Sequence, residues 1–246
     1  MNNRCYLVIE ARSETASFRI PEYHNYHKTL PLPPPTTIAG VAGAALGLNF
    51  EATQEYFINN EIFLGVSGKS KGFFSDLWKI CITVSIKGKR FATSSVIRRE
   101  FLFRNSYFLV FGGEKAVISE MKQAFLYPKF ALTMGNSDSL LLIKDVTILN
   151  DMLPKTERRL ENCLVKGSHK GSKTLEGMEA GKLYRYSTFQ TPQVYNLPIL
   201  FDCHNDQTRS VAKRQEYSFI GNMVILDEEQ DVIEYKGLKI PIFLYG

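Results

Sequence analysis

Long apolar runs are missing from this chain. Across its 246 residues no stretch reaches the about 18 apolar residues of a membrane-spanning helix. The richest segment, 36–50, opens on two threonines and is interrupted by glycine. At the N-terminus there is no basic region followed by an apolar run and a cleavage site, so no signal peptide is expected. Cysteine is sparse. Cys5, Cys81, Cys163 and Cys203 are scattered without a Cys-x-x-Cys pair, which argues against zinc and suits a reducing cytoplasm. His204 follows Cys203 with Asp202 and Asp206 nearby, yet no second cluster stands at metal-ligand spacing. Neither a metal nor an organic cofactor is expected. No serine occupies a Gly-x-Ser-x-Gly elbow. Gly65-Val66-Ser67-Gly68-Lys69-Ser70 ends like a phosphate-binding loop but has two residues between its glycines. Wrapping a phosphate chain takes about four.

Positive charge is present, and it is unevenly placed. The net charge is +5. Residues 66–104 hold Lys69, Lys71, Lys79, Lys87, Lys89, Arg90, Arg98, Arg99 and Arg104 against only Asp76 and Glu100, a local balance of +7 that leaves −2 for the rest. Such concentration is the footprint of a polyphosphate partner. A solvated basic face is the plainer alternative.

With 44% hydrophobic and 22% charged residues the chain is globular. Residues 4–10 read as a first strand and 11–35 as a long loop rich in aromatics and histidine. Helices follow at 36–47 and 51–60, with a strand at 62–66. Residues 67–72 read as a flexible basic loop. Trp78, Ile80, Ile82, Val84 and Ile86 alternate along a strand from 77 to 86. Lys87-Gly88-Lys89-Arg90 makes a basic turn, and 96–111 returns as a long strand, so the pair forms a hairpin with a positive tip. A helix at 114–126 carries Ala116, Val117, Met121, Ala124 and Phe125 as its apolar positions, and 139–149 closes the unit. Strand–helix–strand–strand–helix–strand is the ferredoxin-like order. Residues 150–154 make a plausible boundary. Beyond it, 166–182 is loop-like, and short strands at 183–190, 194–201, 215–225 and 231–244 suggest a small β-rich domain.

The densest signal is Thr29-Leu30-Pro31-Leu32-Pro33-Pro34-Pro35-Thr36-Thr37-Ile38-Ala39-Gly40-Val41-Ala42-Gly43-Ala44-Ala45-Leu46-Gly47. The prolines hold the entry extended. Thr36 or Thr37 is the expected N-cap. Gly40, Gly43 and Gly47 share one helix face, which lets a sheet or a partner backbone come close.

Tyr6-Leu7-Val8-Ile9-Glu10, then Ser17-Phe18-Arg19, then this proline–threonine–glycine block, resembles family five of the CRISPR-associated proteins. The resemblance returns at Val96-Ile97-Arg98-Arg99-Glu100-Phe101-Leu102 and at Tyr127 through Gly135. It implies an α+β chain: an RRM-like (ferredoxin-like) domain of the RAMP superfamily over 1–150, with an inserted basic β-hairpin, the thumb, at about 67–96. A small β-rich C-terminal domain would span 151–246. The implied function is to bind the 5′ handle of a CRISPR guide RNA and cap that end of a type I Cascade complex in antiviral defence. Partners would be the guide RNA, the repeating backbone subunit and the large subunit, with target DNA nearby and no membrane. Phe18, Arg19, Lys69, Lys71, Lys87, Lys89, Arg90, Arg98, Arg99 and Gly135 are the residues expected to meet RNA.

Plainer readings stand beside these. Arg98 and Arg99 point opposite ways on a strand, and either could form a rim salt bridge with Glu100 or an acid on a neighbouring strand. Gly135 could sit in an ordinary helix-to-strand turn. The loop Pro21-Glu22-Tyr23-His24-Asn25-Tyr26-His27-Lys28 could pack or meet a partner, stack on bases, or cleave RNA through tyrosine and histidine. A branch of the family does cut repeat RNA without metal, using a tyrosine and a lysine–histidine step. This chain has no Lys-His dipeptide, so no catalytic residue is expected. A metal-independent endoribonuclease and a generic RRM-like RNA binder are the alternatives. The latter would depend on aromatic strands rather than a proline–threonine–glycine block.

Overall fold

The structure, a computed structural model, describes residues 4–23, 26–86, 89–150, 152–170, 173–174, 192–204 and 208–246; at 82, 84–86, 89–91 and 173–174 the backbone alone is described. The chain is α+β, with a mostly antiparallel sheet and, among the described residues, three helices. In chain order the elements are β1 (Arg4–Ala16), β2 (Tyr26–His27), α1 (Pro35–Leu46), α2 (Phe50–Asn59), β3 (Phe63–Ile86), β4 (Lys89–Glu114), α3 (Lys115–Leu126), β5 (Leu142–Leu149), β6 (Lys155–Leu160), β7 (Cys163–Lys166), β8 (Lys173–Thr174), β9 (Gln193–Cys203), β10 (Arg209–Ile220), β11 (Val224–Tyr235) and β12 (Leu238–Leu244).

The spine of the sheet runs β5-β1-β4-β3-β12-β11-β6. Odd residues of β1, Leu7 and Ile9, face the helices with Phe57 of α2, Leu109 and Phe111 of β4, and Ile118, Met121 and Phe125 of α3. Even residues Tyr6 and Val8 face the other way and pack against Ile233 of β11 and Ile240 of β12. The sheet therefore coils back on itself. Lys236, in the β11–β12 turn, reaches Glu10 of β1 at 2.7 Å, and Tyr235 donates its hydroxyl to Asp145 of β5 at 3.2 Å. A third apolar group, including Leu160, Cys163, Ile220 and Val224, lies among β6, β7, β10 and β11.

Several elements depart from the sequence expectation. β1 runs on to Ala16 through Arg12-Ser13-Glu14-Thr15, whose polarity hides a strand of alternating burial: Arg12 and Glu14 are exposed, Ser13 buried. α1 starts on Pro35, with Pro34 as its N-cap and no side-chain cap. Proline suits the first helical position, where its missing N–H would have no partner anyway. Residues 67–72 are strand, not loop, because their backbone pairs with β4 from Ser67↔Phe108 to Gly72↔Phe103. The charged β6 and the short β7 were not anticipated. β6 is polar because it is an outer strand of the sheet. The strand read at 215–225 is two strands broken at Gly221-Asn222-Met223. The strand expected at 183–190 lies outside the described residues.

Most prominent is the β3–β4 hairpin. β3 has 24 residues, about 80 Å at ~3.3 Å per residue, and it pairs with β4 in one register from Phe63↔Gly112 to Ile86↔Lys89, interrupted where Lys71 stands opposite Arg104, whose φ is +48°. β1 covers β4 only up to Leu102. Beyond that the hairpin is a two-stranded ribbon braced at its base by β2, which pairs parallel with Arg98 and Arg99.

Candidate functional site

The base of the ribbon is where the scattered motifs meet. Glu100 is buried at 8% exposure. Tyr26 donates its hydroxyl to one carboxylate oxygen, and the backbone N–H of Thr29 donates to the other at 3.1 Å. The Ser17 hydroxyl donates to the Glu100 carbonyl at 2.7 Å, and Phe18 N–H donates to the Thr29 hydroxyl at 2.9 Å. Hydrogen bonds to a charged group contribute about 1.5–3 kcal/mol. Glu100 thus ties the 17–30 segment to the hairpin; it is not the salt-bridge partner of Arg98 or Arg99.

The 134–139 turn closes on the same spot. Ser17 N–H donates to the Met134 carbonyl at 3.3 Å. Gly135 has φ +87°, and a Cβ there would sit 1.9 Å from the Ser17 carbonyl oxygen. Only glycine tolerates both the left-handed backbone and that approach.

Arg98 and Arg99 part company here, as alternation on a strand requires. Arg98 is exposed, with its guanidinium 5.8 Å from the Tyr26 ring centroid. Arg99 is buried at 8% exposure, with its guanidinium 4.8 Å from the Trp78 ring and 4.3 Å from the Phe101 ring. Such cation–π contacts contribute about 0.5–2 kcal/mol each. Phe101 stacks on Phe74 at 5.3 Å, and His27 meets Trp78 edge-on at 6.2 Å. Asp138 of the turn stands 3.9 Å from Arg99.

Titration follows this environment. Burial first, and then Arg19 and Arg99, lower the pKa of His27, which is neutral at neutral pH. Burial and then the Glu100 hydrogen bond raise the pKa of Tyr26, since ionising it would set a phenolate beside a carboxylate. The Tyr26 hydroxyl is a donor and a poor base.

The other expected site residues lie apart. Phe18 is buried at 2% exposure, edge-on to Tyr107 in the helix-side core, so its ring packs and has no free face. Arg19 is exposed and bridged to Thr29. Lys69 and Lys71 are exposed on β3, with Lys71 about 23 Å along the strand from Trp78 at ~3.3 Å per residue. Lys87 lies outside the described residues, and Lys89 and Arg90 open β4 opposite Ile86 and Ser85. The tip is about 30 Å beyond Trp78 by the same spacing. Sequence reasoning missed Glu100 as the organiser, Trp78 as a lid on Arg99, and Asp138. Glu100 had a signal, its place inside Arg98-Arg99-Glu100; Asp138 had none. Among the described residues, no group of three or more His, Cys, Asp or Glu could hold a metal, and no helix is long and apolar enough to cross a membrane.

Fold and site define an α+β protein of mostly antiparallel sheet with a long basic ribbon anchored by an arginine–aromatic cluster. The chain belongs to the family described as CRISPR-associated protein (Cas_Cas5), whose model matches residues 6–159. A solved structure titled "CRISPR RNA-guided surveillance complex" is similar at 15% identity and TM-score 0.54, over 91% of each chain. Another, a CRISPR protein from Archaeoglobus fulgidus, is similar at 12% identity and TM-score 0.53, over 98% of this chain and 99% of that one. A structure titled "Crystal structure of Cas protein" aligns at 19% identity and TM-score 0.36, over 54% of this chain and 57% of its own. Among curated proteins none matches.

Proposed function

We propose that this chain is a non-catalytic subunit of a type I CRISPR RNA-guided surveillance complex, where it binds the 5′ handle of the guide RNA and caps that end. In this reading residues 1–150 are an RRM-like domain of the RAMP superfamily with the ribbon as its thumb, and 151–246 form the second, β-rich unit. The repeating backbone subunit and the large subunit are its neighbours, target DNA passes close by, and the assembly works in the cytoplasm in antiviral defence. One observation carries the proposal: Arg98, Arg99, Tyr26, His27 and the Gly135 turn, far apart in sequence, converge at the base of a ribbon whose segment carries +7. Arginine offers phosphate a planar fork, exposed aromatics offer bases a face, and lysines along the ribbon neutralise the backbone. Likeness over 91% of both chains to a component of a surveillance complex supports the same reading.

The non-catalytic part is supported by Tyr26, whose hydroxyl is committed to Glu100 with a raised pKa, and by the absent Lys-His step. Incubating the purified protein with labelled repeat RNA in EDTA tests both halves. The expected result is a salt-sensitive complex with uncleaved RNA. A cut at a single position would establish the endoribonuclease instead. Equal affinity for an unrelated RNA would establish a generic binder.

A further inference from the structure

Arg99 is an always-charged side chain held nearly out of water with its Nε donor unmet. That Nε is buried and has no hydrogen-bond partner among the described residues. Among the described residues the only ion pair of Arg99 is the Asp138 carboxylate at 3.9 Å, beyond hydrogen-bonding distance. A guanidinium carries five N–H donors in a rigid fork. Here the Trp78 and Phe101 rings pack against it, and the N–H donors lie in the plane of the fork, so an anion must engage its edge. Leaving a buried charged donor unmet is costly, and the site at rest is therefore incomplete. Asp138 is a weak occupant: its side chain is 72% exposed, and its other bond is to the adjacent Ser137 hydroxyl. The same turn holds a second unpaired buried donor, Nδ2 of Asn136. The turn cannot drift far, because Gly135 is pressed against Ser17.

We infer that Arg99 is a phosphate subsite masked at rest by Asp138, whose carboxylate stands in for the anion and is displaced when a phosphate engages the guanidinium edge. A tetrahedral phosphate suits this better than a second carboxylate, because it presents more acceptor oxygens to Nε and to the terminal nitrogens. The phosphate would come from an RNA backbone, a source that rests on the proposed function, or from free inorganic phosphate. Asp138 then weakens binding and makes it more selective, because a ligand must outcompete an intramolecular anion.

Trp78 is the chain's single tryptophan and lies on Arg99, so its fluorescence reports this subsite directly. Parent, Asp138→Asn, Arg99→Lys and the double variant would be titrated with inorganic phosphate and, separately, with single-stranded repeat RNA. Far-ultraviolet circular dichroism would confirm that each is folded. Asp138 is exposed, so Asp138→Asn keeps the test alive should the Arg99 variants not fold. Expected is a Trp78 response whose midpoint falls about threefold in Asp138→Asn, the size of one partly exposed ion pair, and no such gain when Arg99 is lysine, which lacks the fork. An unchanged midpoint in Asp138→Asn overturns the inference. So does an equal gain in the Arg99→Lys background, which would reduce the effect to net charge. A gel-shift complex with RNA but no Trp78 response to either ligand overturns this subsite and leaves handle binding intact. A response to inorganic phosphate without RNA binding upholds the subsite and overturns handle binding.

Discussion

A glycine and a threonine illustrate what is decided at the scale of the residue. Gly43 sits inside α1, where glycine is disfavoured by ~1 kcal/mol relative to alanine. A Cβ there would lie 2.2 Å from the Thr53 hydroxyl oxygen, and that hydroxyl already donates to the Asn49 carbonyl at 2.7 Å. The sequence predicts a sheet or a partner backbone close to this face; the crowding at Gly43 comes instead from the Thr53 side chain of α2. Gly43→Ala should therefore destabilise the protein by about 1–3 kcal/mol, the range for overpacking. Thr53→Ala in the same chain should recover much of that loss, because the two sites share one contact. Denaturant melts of the four variants would check it, and simple additivity would count against this packing. Gly40 meets nothing within 4 Å, so identical residues three apart on one helix serve different ends, and composition alone does not separate them.

At the scale of the element, charge acts locally. β6 and the β11–β12 hairpin are joined by Lys155–Glu234 at 2.8 Å, Arg158–Glu229 at 3.7 Å and Lys239–Glu157. The hydrogen bond from Lys239, with the backbone N–H groups of Arg159 and Arg158, lowers the Glu157 pKa from 4.5 to about 2. A carboxyl depressed in the folded state stabilises above its unfolded pKa, and that contribution fades as the pH falls through the folded value. Glu157→Gln should accordingly flatten the acid limb of the melting temperature between pH 4.5 and about 2 and change little at pH 7 beyond the modest loss of a partly exposed pair. An acid limb identical to the parent's would show that Glu157 is not so bonded in solution. The ribbon is the other test of local charge. Replacing Lys87, Lys89 and Arg90 together by Ala should weaken RNA binding more than about tenfold at moderate salt. If three phosphate contacts go, the log K against log salt slope should flatten by about 2 units. An unchanged slope would move the phosphate contacts away from the tip and toward the base.

At the scale of the whole molecule, the sequence by itself determined what short-range physics controls. Proline stiffness and small-residue periodicity located α1, a 3.6-residue apolar pattern located α3, and strict alternation located the strand from 77 to 86, because each is written within one or two turns of chain. The clustering of charge over 66–104 is likewise a property of the sequence alone. Polar strands such as Arg12 to Thr15 and β6 were illegible, since the sheet, not the side chains, makes them strands by pairing their backbones. The meeting of Arg99, Glu100, Tyr26 and the Gly135 turn was not readable either. Each contributes unremarkable chemistry until pairing of β4 with β1, β2 and β3 sets the register and brings residues 17–29 against 98–101 and 134–138. Only tertiary structure decided which of two adjacent arginines is exposed near a tyrosine and which is buried against two rings, because strand parity and neighbouring segments choose the face and the amino-acid code for the two is the same.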